Sequence, residues 1–412
     1  MYNNFLKKGL VIGICILIII LCFPIQSIGN ALYNVKASKE LNYNRFYINK
    51  EENSGKQIFD VGEDIFSSCK KDLYGVFFVN SDIGTIVGDE GLILYTVDGG
   101  KTWVRKNVIE GFKTCIINSR FFDVSFFNED IGMAVGWDGT VIYTNNGGEK
   151  WNVASTGKNV AFFSAQMLTS TIGFSAGVNT IFQPLIFRTN DCWESFDVII
   201  FYPEHGGSNY EADLTDIYFL DTSIGFTTAR IFNGEGAICR SNDSGYTWDT
   251  IYWANYCLNE ITFPSDSIGF AVGDFGRIVK SIDSGENWSL LNSGTTKDLY
   301  SVSFPTEEVG CAVGSSGVII RTEDGGSYWF AQNSGTKENL NKVQFLDSEN
   351  GFVVGDSGTI LHTEDGGDSW EVLTRNLNKQ IDFQHYIDFL RFHFFKFFSR
   401  LYLNLFSMLE LM

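Results

Sequence analysis

The sequence is poor in proline, with 5 in 412 residues, and in histidine, with 4. It also lacks a basic stripe, a Cys-x-x-Cys pair and any helical periodicity between Gly55 and Arg375. Each absence excludes something. Few prolines against 42 glycines rule out collagen-like and proline-rich disordered chains. Lys and Arg total 30 against 49 Asp and Glu, a formal net of −19. Such a surface repels phosphate backbones, so nucleic acid is excluded as the expected partner. Without paired cysteines or an Asp-x-Asp-x-Asp spacing, no metal and no cofactor is expected. What is abundant is aromatic: 37 Phe, 17 Tyr and 9 Trp supply a large core and favour strands.

The two ends differ from the middle. Residues 1–31 read as an export signal: Lys7 and Lys8 precede an apolar run of fourteen, Leu10 to Phe23, with small residues at Ser27, Gly29 and Ala31. The run suits a signal better than a membrane span, which needs roughly 18 residues or more. An uncleaved anchor is the alternative, and a lipoprotein reading of Cys22 is disfavoured by Leu21. Either way an exported protein is expected: periplasmic, lumenal or extracellular. Residues 32–55 read as a linker. Residues 376–412 form a Phe-rich tail carrying Arg391, Lys396 and Arg400, of undecided role. Of the remaining cysteines, Cys239, Cys257 and Cys311 fall in apolar strand-like runs as expected free thiols. A Cys69–Cys115 bridge is open in an oxidising compartment.

Residues 56–375 repeat one unit seven times. A hydroxyl residue, then Asp two on, Gly four on and Trp seven on, recurs from Thr96, Thr144, Thr189, Ser241, Ser281, Thr322 and Thr363. The box residues are Asp98 and Trp103; Trp151, with Asn146 in the acidic place; Asp243 and Trp248; Asp283 and Trp288; Asp324 and Trp329; and Asp365 and Trp370. In the decayed third copy Trp193 takes the Gly place and Phe196 the closing place. Ahead of each box lie three short strand-like runs, cleanest in Leu299–Phe304, Gly310–Gly314 and Gly317–Arg321, and a fourth begins at the Trp. Four antiparallel strands about every 41 residues is the pattern of a propeller blade. The expected fold is therefore all-β, a seven-bladed β-propeller of four-stranded antiparallel blades. The boxes are expected to be structural. Their hydroxyl and carboxylate oxygens can accept backbone N–H groups in the turn before the outer strand, Gly can take the positive φ, and Trp can cover apolar surface. Ring closure stays open between Lys56–Asp60 donating the outer strand of the last blade and Trp370–Leu373 completing it alone.

The box resembles the Asp-box, or BNR repeat, of sialidase-type families. The fuller unit, in Gly269-Phe-Ala-Val-Gly273 with Gly276-Arg-Ile278 and Gly351-Phe-Val-Val-Gly355 with Gly358-Thr-Ile360, is similar to the photosystem II stability/assembly factor-like family. The resemblance covers about residues 56–375. It implies an exported, monomeric, non-catalytic scaffold in photosynthesis that binds a protein partner, such as a membrane complex. It also implies an Arg-rich contact surface, yet here Arg188, Arg230, Arg240, Arg277 and Arg321 are scattered singly. The alternative is a carbohydrate-active Asp-box propeller, a glycoside hydrolase or glycan-binding protein. The sialidase Phe-Arg-Ile-Pro signature is absent, since Thr189-Asn190 follows Phe187-Arg188, and no spacing identifies a pair of facing carboxylates.

In such a ring the second-to-third-strand turns and the blade-to-blade connections share one face. That face is expected to carry Asp89, Glu90, Trp137, Asp138, Asn179, Glu235, Asp274, Phe275, Ser315 and Asp356, although turn chemistry alone favours several of these residues. The long repeat spacings place insertions at Ile109–Arg120, Val178–Pro184, Tyr202–Asp213 and Ile231–Glu235. Long loops on a rigid scaffold are where binding residues concentrate. Trp137, Asp138, Tyr202, His205, Tyr210, Asp274 and Phe275 are the expected contact residues for a protein or glycan. No catalytic residue is expected, and His205 beside Glu204 reads as an exposed loop dipeptide.

Overall fold

The computed structural model describes residues 71–106, 119–156 and 159–373, together with the two-residue strands Arg45–Phe46 and Phe59–Asp60. The export signal, the Phe-rich tail and Cys69–Cys115 lie outside the described residues, as does most of the Ile109–Arg120 insertion.

Seven antiparallel four-stranded sheets, each from one continuous stretch of chain, form the seven blades of a β-propeller. Their innermost strands are Leu73–Phe78, Phe121–Phe126, Val160–Met167, Ala212–Phe219, Leu258–Thr262, Leu299–Ser303 and Leu340–Phe345. The second strands are almost wholly buried, as Gly132–Gly136 and Gly351–Gly355 illustrate. Burial on both faces explains why they read as apolar runs rather than as an alternation. The outer strands alternate weakly and stay largely exposed, as in Asp197–Ile200.

The box acts the same way in every blade. The Thr96 hydroxyl accepts the Gly100 N–H at 3.0 Å and donates to Asp98 Oδ1, which in turn accepts the Thr102 N–H at 2.9 Å. The equivalent bond to the N–H four residues on runs at 2.8–2.9 Å in the other six blades. The closing Trp sits one residue ahead of the outer strand. In six blades it meets, edge-on, the Phe that ends or directly follows its own inner strand, from Phe78–Trp103 to Phe345–Trp370, at 5.8–5.9 Å. Blade three reaches similar packing from another position. Its indole comes from Trp193, buried at φ 69°, while Phe196 stacks on Phe187 at 4.8 Å. A side chain at positive φ costs backbone energy, and here it restores the indole that the closing position lacks.

The last blade is completed by its own chain, Glu371–Val372 pairing with Thr359–Thr363. Phe59–Asp60 pairs instead with Arg45–Phe46, within the separate unit Met1–Glu63. The joint between blades seven and one is built like the others. Phe352 stacks on Phe78 at 4.2 Å, as Phe174 does on Phe219 and Phe270 on Phe304, both at 3.8 Å. Gln344 brackets Phe78, accepting its N–H at 2.6 Å and donating to its carbonyl at 3.2 Å, and Gln166 brackets Phe219 in the same way. Side-chain packing therefore closes the ring without strand exchange. The cysteines Cys239, Cys257 and Cys311 are buried free thiols, and Cys192 is free and half-buried.

Candidate functional site: the central channel and its mouth

Each inner strand has one β-bulge, and the residue just after it occupies the same place in all seven blades: Gly75, Asp123, Ser164, Asp216, Glu260, Ser301 and Lys342. These residues ring the axis. Lys342 Nζ lies 2.5 Å from Glu260 Oε1 and 3.8 Å from Asp123 Oδ1. The carboxylates also brace neighbouring blades. Asp123 accepts the Ala165 N–H, Asp216 accepts the Ile261 N–H and the Ser164 hydroxyl, and Glu260 accepts the Val302 N–H. Burial pushes the Asp216 carboxyl up to about 7, with Lys342 opposing and Glu260 adding to the rise. Burial pulls the Lys342 ammonium down, but Asp123, Glu260 and Asp216 outweigh it and hold the group above the ordinary lysine value.

This belt divides the channel. Towards the box face lies a cavity of about 200 Å³, reaching Ser125, Gln166, Ser303 and Gln344. Towards the face of the blade connections lies a larger one of about 390 Å³. Its walls are the bulged residues themselves, Tyr74, Phe122, Phe163, Thr215, Asn259, Tyr300 and Asn341, together with Asp213 and Arg230. Aromatic rings dominate one arc. Phe122 lies 5.3 Å from Tyr74, 5.4 Å from Phe163 and 5.9 Å from Trp137. The Arg120 guanidinium sits over Trp137 at 4.9 Å and over Tyr74 at 5.1 Å, with Asp89 2.6 Å from its Nε. Burial, then Asp89, raises the Tyr74 hydroxyl pKa against the pull of Arg120. Burial, then Asp298, Asp274 and Asp356, raises that of Tyr300.

The expected contact residues do not form one surface. Trp137, 47 % exposed, joins the mouth through Phe122, with exposed Asp138 beside it in the same turn. Asp274 joins through a 3.3 Å bond from Asn259. Phe275 projects from the blade-five turn, 65 % exposed, its N–H donated to Asp298. Tyr202, His205 and Tyr210 turn elsewhere. The Tyr202 hydroxyl accepts from Gln183, while His205 stacks on Trp253 at 4.6 Å and Tyr210 meets the same indole at 5.1 Å. Their segment forms a small hairpin, Glu204–His205 with Ser208–Asn209, bonded to Thr250 of the blade-four outer strand. The insertions Val178–Pro184 and Ile231–Glu235 meet at their tips, Phe182 against Phe232 at 4.8 Å. The ring of acids is partly engaged: Lys71 pairs with Glu90, and the Asn339 and Asn341 amides donate to Asp356.

The scattered arginines have a structural use. Arg188 donates to the Ser244 carbonyl and Arg321 to the Gly366 carbonyl, each reaching the next blade's box turn, and Arg240 pairs with Glu286. All three are buried on the box side and present no basic surface. Among the described residues, no group of three or more His, Cys, Asp or Glu side chains could hold a metal ion.

Fold and boxes define the class: an Asp-box β-propeller of seven blades. Residues 63–160 and 282–382 match the family model of "Photosynthesis system II assembly factor YCF48". In these repeats the chain is similar to the photosystem II stability/assembly factor-like family. No curated protein matches the sequence. Among solved structures, a YCF48 bound to a D1 peptide is similar at TM-score 0.58 and 19 % identity, over 72 % of this chain and 94 % of that one. YCF48 from Cyanidioschyzon merolae is similar at TM-score 0.59 and 19 % identity, over 72 % and 97 %. The GH74 xyloglucanase from Xanthomonas campestris reaches TM-score 0.59 at 11 % identity, over 74 % of this chain and 54 % of that one. At these identities the likeness concerns the fold.

Proposed function

We propose that this chain is an exported, non-catalytic binding propeller that holds an extended segment of a protein partner at the connection-face mouth of its channel, as an assembly factor for a membrane complex. The observation that carries the reading is the 390 Å³ cavity, walled by Tyr74, Phe122, Phe163 and Tyr300 and bounded by the belt residues Asp123, Ser164, Asp216, Glu260 and Lys342. Aromatic walls with a few polar groups suit a peptide, because rigid rings bury area at little entropic cost. That a protein of the same repeat family has been seen with a D1 peptide supports a peptide as the ligand class. Lys7, Lys8 and the apolar run to Phe23 support export.

The glycosidase alternative requires a pair of carboxylates free to act as acid and base or nucleophile. The acids facing one another in the channel are instead committed to Lys342 and to backbone N–H groups of the next blade. Fluorescence anisotropy of a labelled D1 peptide, beside a scrambled peptide and xyloglucan oligosaccharides, tests the choice. Saturable peptide binding that Phe163→Ala weakens is expected. Binding or cleavage of the oligosaccharide with no peptide binding would overturn the reading.

A further inference from the structure

The mouth has a charge and a chemistry that narrow its ligand, and the argument rests on the binding reading above. Its lining holds four carboxylates, Asp123, Asp213, Asp216 and Glu260, against two cations, Arg230 and Lys342, a formal net of −2. Above these stand the faces and edges of Tyr74, Phe122, Phe163 and Tyr300. An aromatic wall over a negative floor is the environment that stabilises an ammonium or guanidinium, through the ring quadrupoles and the field of the carboxylates together. The rim already shows this chemistry. The Arg120 guanidinium lies over three rings, Trp137, Tyr74 and Phe122, at 4.9, 5.1 and 5.9 Å, and is paired with Asp89. Phe163 and Tyr300 line the same cavity at the equivalent positions of blades three and six, as does Asp213.

We propose that the channel mouth receives a cationic side chain, arginine or lysine, from an extended partner segment, seated between Phe163 and Tyr300 above Asp213 and the belt carboxylates. The cavity is large enough for a guanidinium and its stem. Lys342 is already held by Glu260 and Asp123, which leaves Asp213 as a lining carboxylate outside that contact. Asp213 faces Arg230 across the strand pair, so an incoming cation shares that carboxylate rather than meeting a bare one.

The test uses the full chain and four probes of the form acetyl-Ala-Ala-X-Ala-Ala-amide, with X arginine, lysine, citrulline or glutamate, read by calorimetry at two salt concentrations. Citrulline keeps the arginine shape and loses its charge. The arginine and lysine probes should bind at least about ten-fold tighter than citrulline and weaken with salt, as expected for one cation–π and one ionic contact. Asp213→Asn should narrow the arginine–citrulline gap. Phe163→Leu should weaken both cationic probes while leaving the unfolding midpoint nearly unchanged. Equal binding of arginine and citrulline would overturn the cation site and leave the peptide reading standing. Preference for glutamate would overturn it in favour of Lys342 and Arg120 as anion receptors. Binding of none of the four, with the D1 peptide still bound, would also overturn it, and failure of the D1 peptide as well would remove both readings.

Discussion

The two faces of the ring solve different problems. On the box face every blade meets the same local demand, a tight turn with buried N–H groups, and meets it with the same hydroxyl and, in six of seven copies, the same carboxylate. On the axis every blade offers the same post-bulge position and fills it differently, with Gly, Asp, Ser, Asp, Glu, Ser and Lys. Repetition marks a structural solution that works blade by blade. Variation at a fixed position marks a site assembled from the whole ring, where each blade supplies one part. The box face and the axis also titrate in opposite senses. Box hydrogen bonds hold the Asp365 carboxyl down at about 2, while burial drives the Asp216 carboxyl up to about 7.

That contrast can be broken most forcefully at Lys342. Lys342→Met leaves Asp123, Asp216 and Glu260 buried without their cation, and should cost about 3–5 kcal/mol at neutral pH, measured by denaturant unfolding. The loss should shrink as pH falls below about 7 and Asp216 takes up its proton. A cost below about 1 kcal/mol would mean the belt is not electrostatically coupled. Next comes the box. Thr322→Val strands the buried Gly326 N–H and should cost about 1–3 kcal/mol, and Thr363→Val should cost a similar amount, because the two turns are alike. A third effect concerns ring closure. Gln344→Ala removes both bonds to Phe78 and should cost about 1–2 kcal/mol.

A smaller effect is the dependence of stability on pH. The folded-state pKa of Asp216 lies above its unfolded value of 3.8, so the folded state holds that proton more tightly. Its contribution is most favourable below about 4 and is lost as pH rises towards 7. Asp365 has a lowered pKa, so its contribution is present above 3.8 and is lost as pH falls towards 2. Denaturant midpoints measured across this range should show Asp216→Asn flattening the upper limb and Asp365→Asn flattening the lower one. If both variants act on the same limb, the two faces are not electrostatically distinct.

Much of the ring was legible because its grammar is local. The box bonds join residues two and four apart, so the spacing from Thr96 to Trp103 already contains them. Even the exchange at Trp193 could be read from a Trp standing in the Gly place. The belt was not legible in the same way. Ser164 and Asp216 are 52 residues apart and Lys342 and Asp123 are 219 apart, so no window of sequence shows their meeting. A signal was nevertheless present. Aligning Leu-Tyr-Gly75-Val, Phe-Phe-Asp123-Val, Leu-Thr-Asp216-Ile, Leu-Asn-Glu260-Ile and Leu-Asn-Lys342-Val exposes one polar column inside apolar strands. The contact residues expected from long loops lie in different places for a physical reason. An exposed aromatic side chain is drawn to the nearest apolar surface, and for His205 and Tyr210 that surface is Trp253 rather than the channel.

The most direct test of the channel mouth as the proposed binding site is hydrogen exchange on the full chain with and without added D1 peptide. The account predicts new protection at the starts of the inner strands around Tyr74, Phe122, Phe163 and Tyr300 and in the turn at Trp137–Gly139, with the box turns unchanged. Protection confined to the box turns, or to the hairpin around His205, would contradict it.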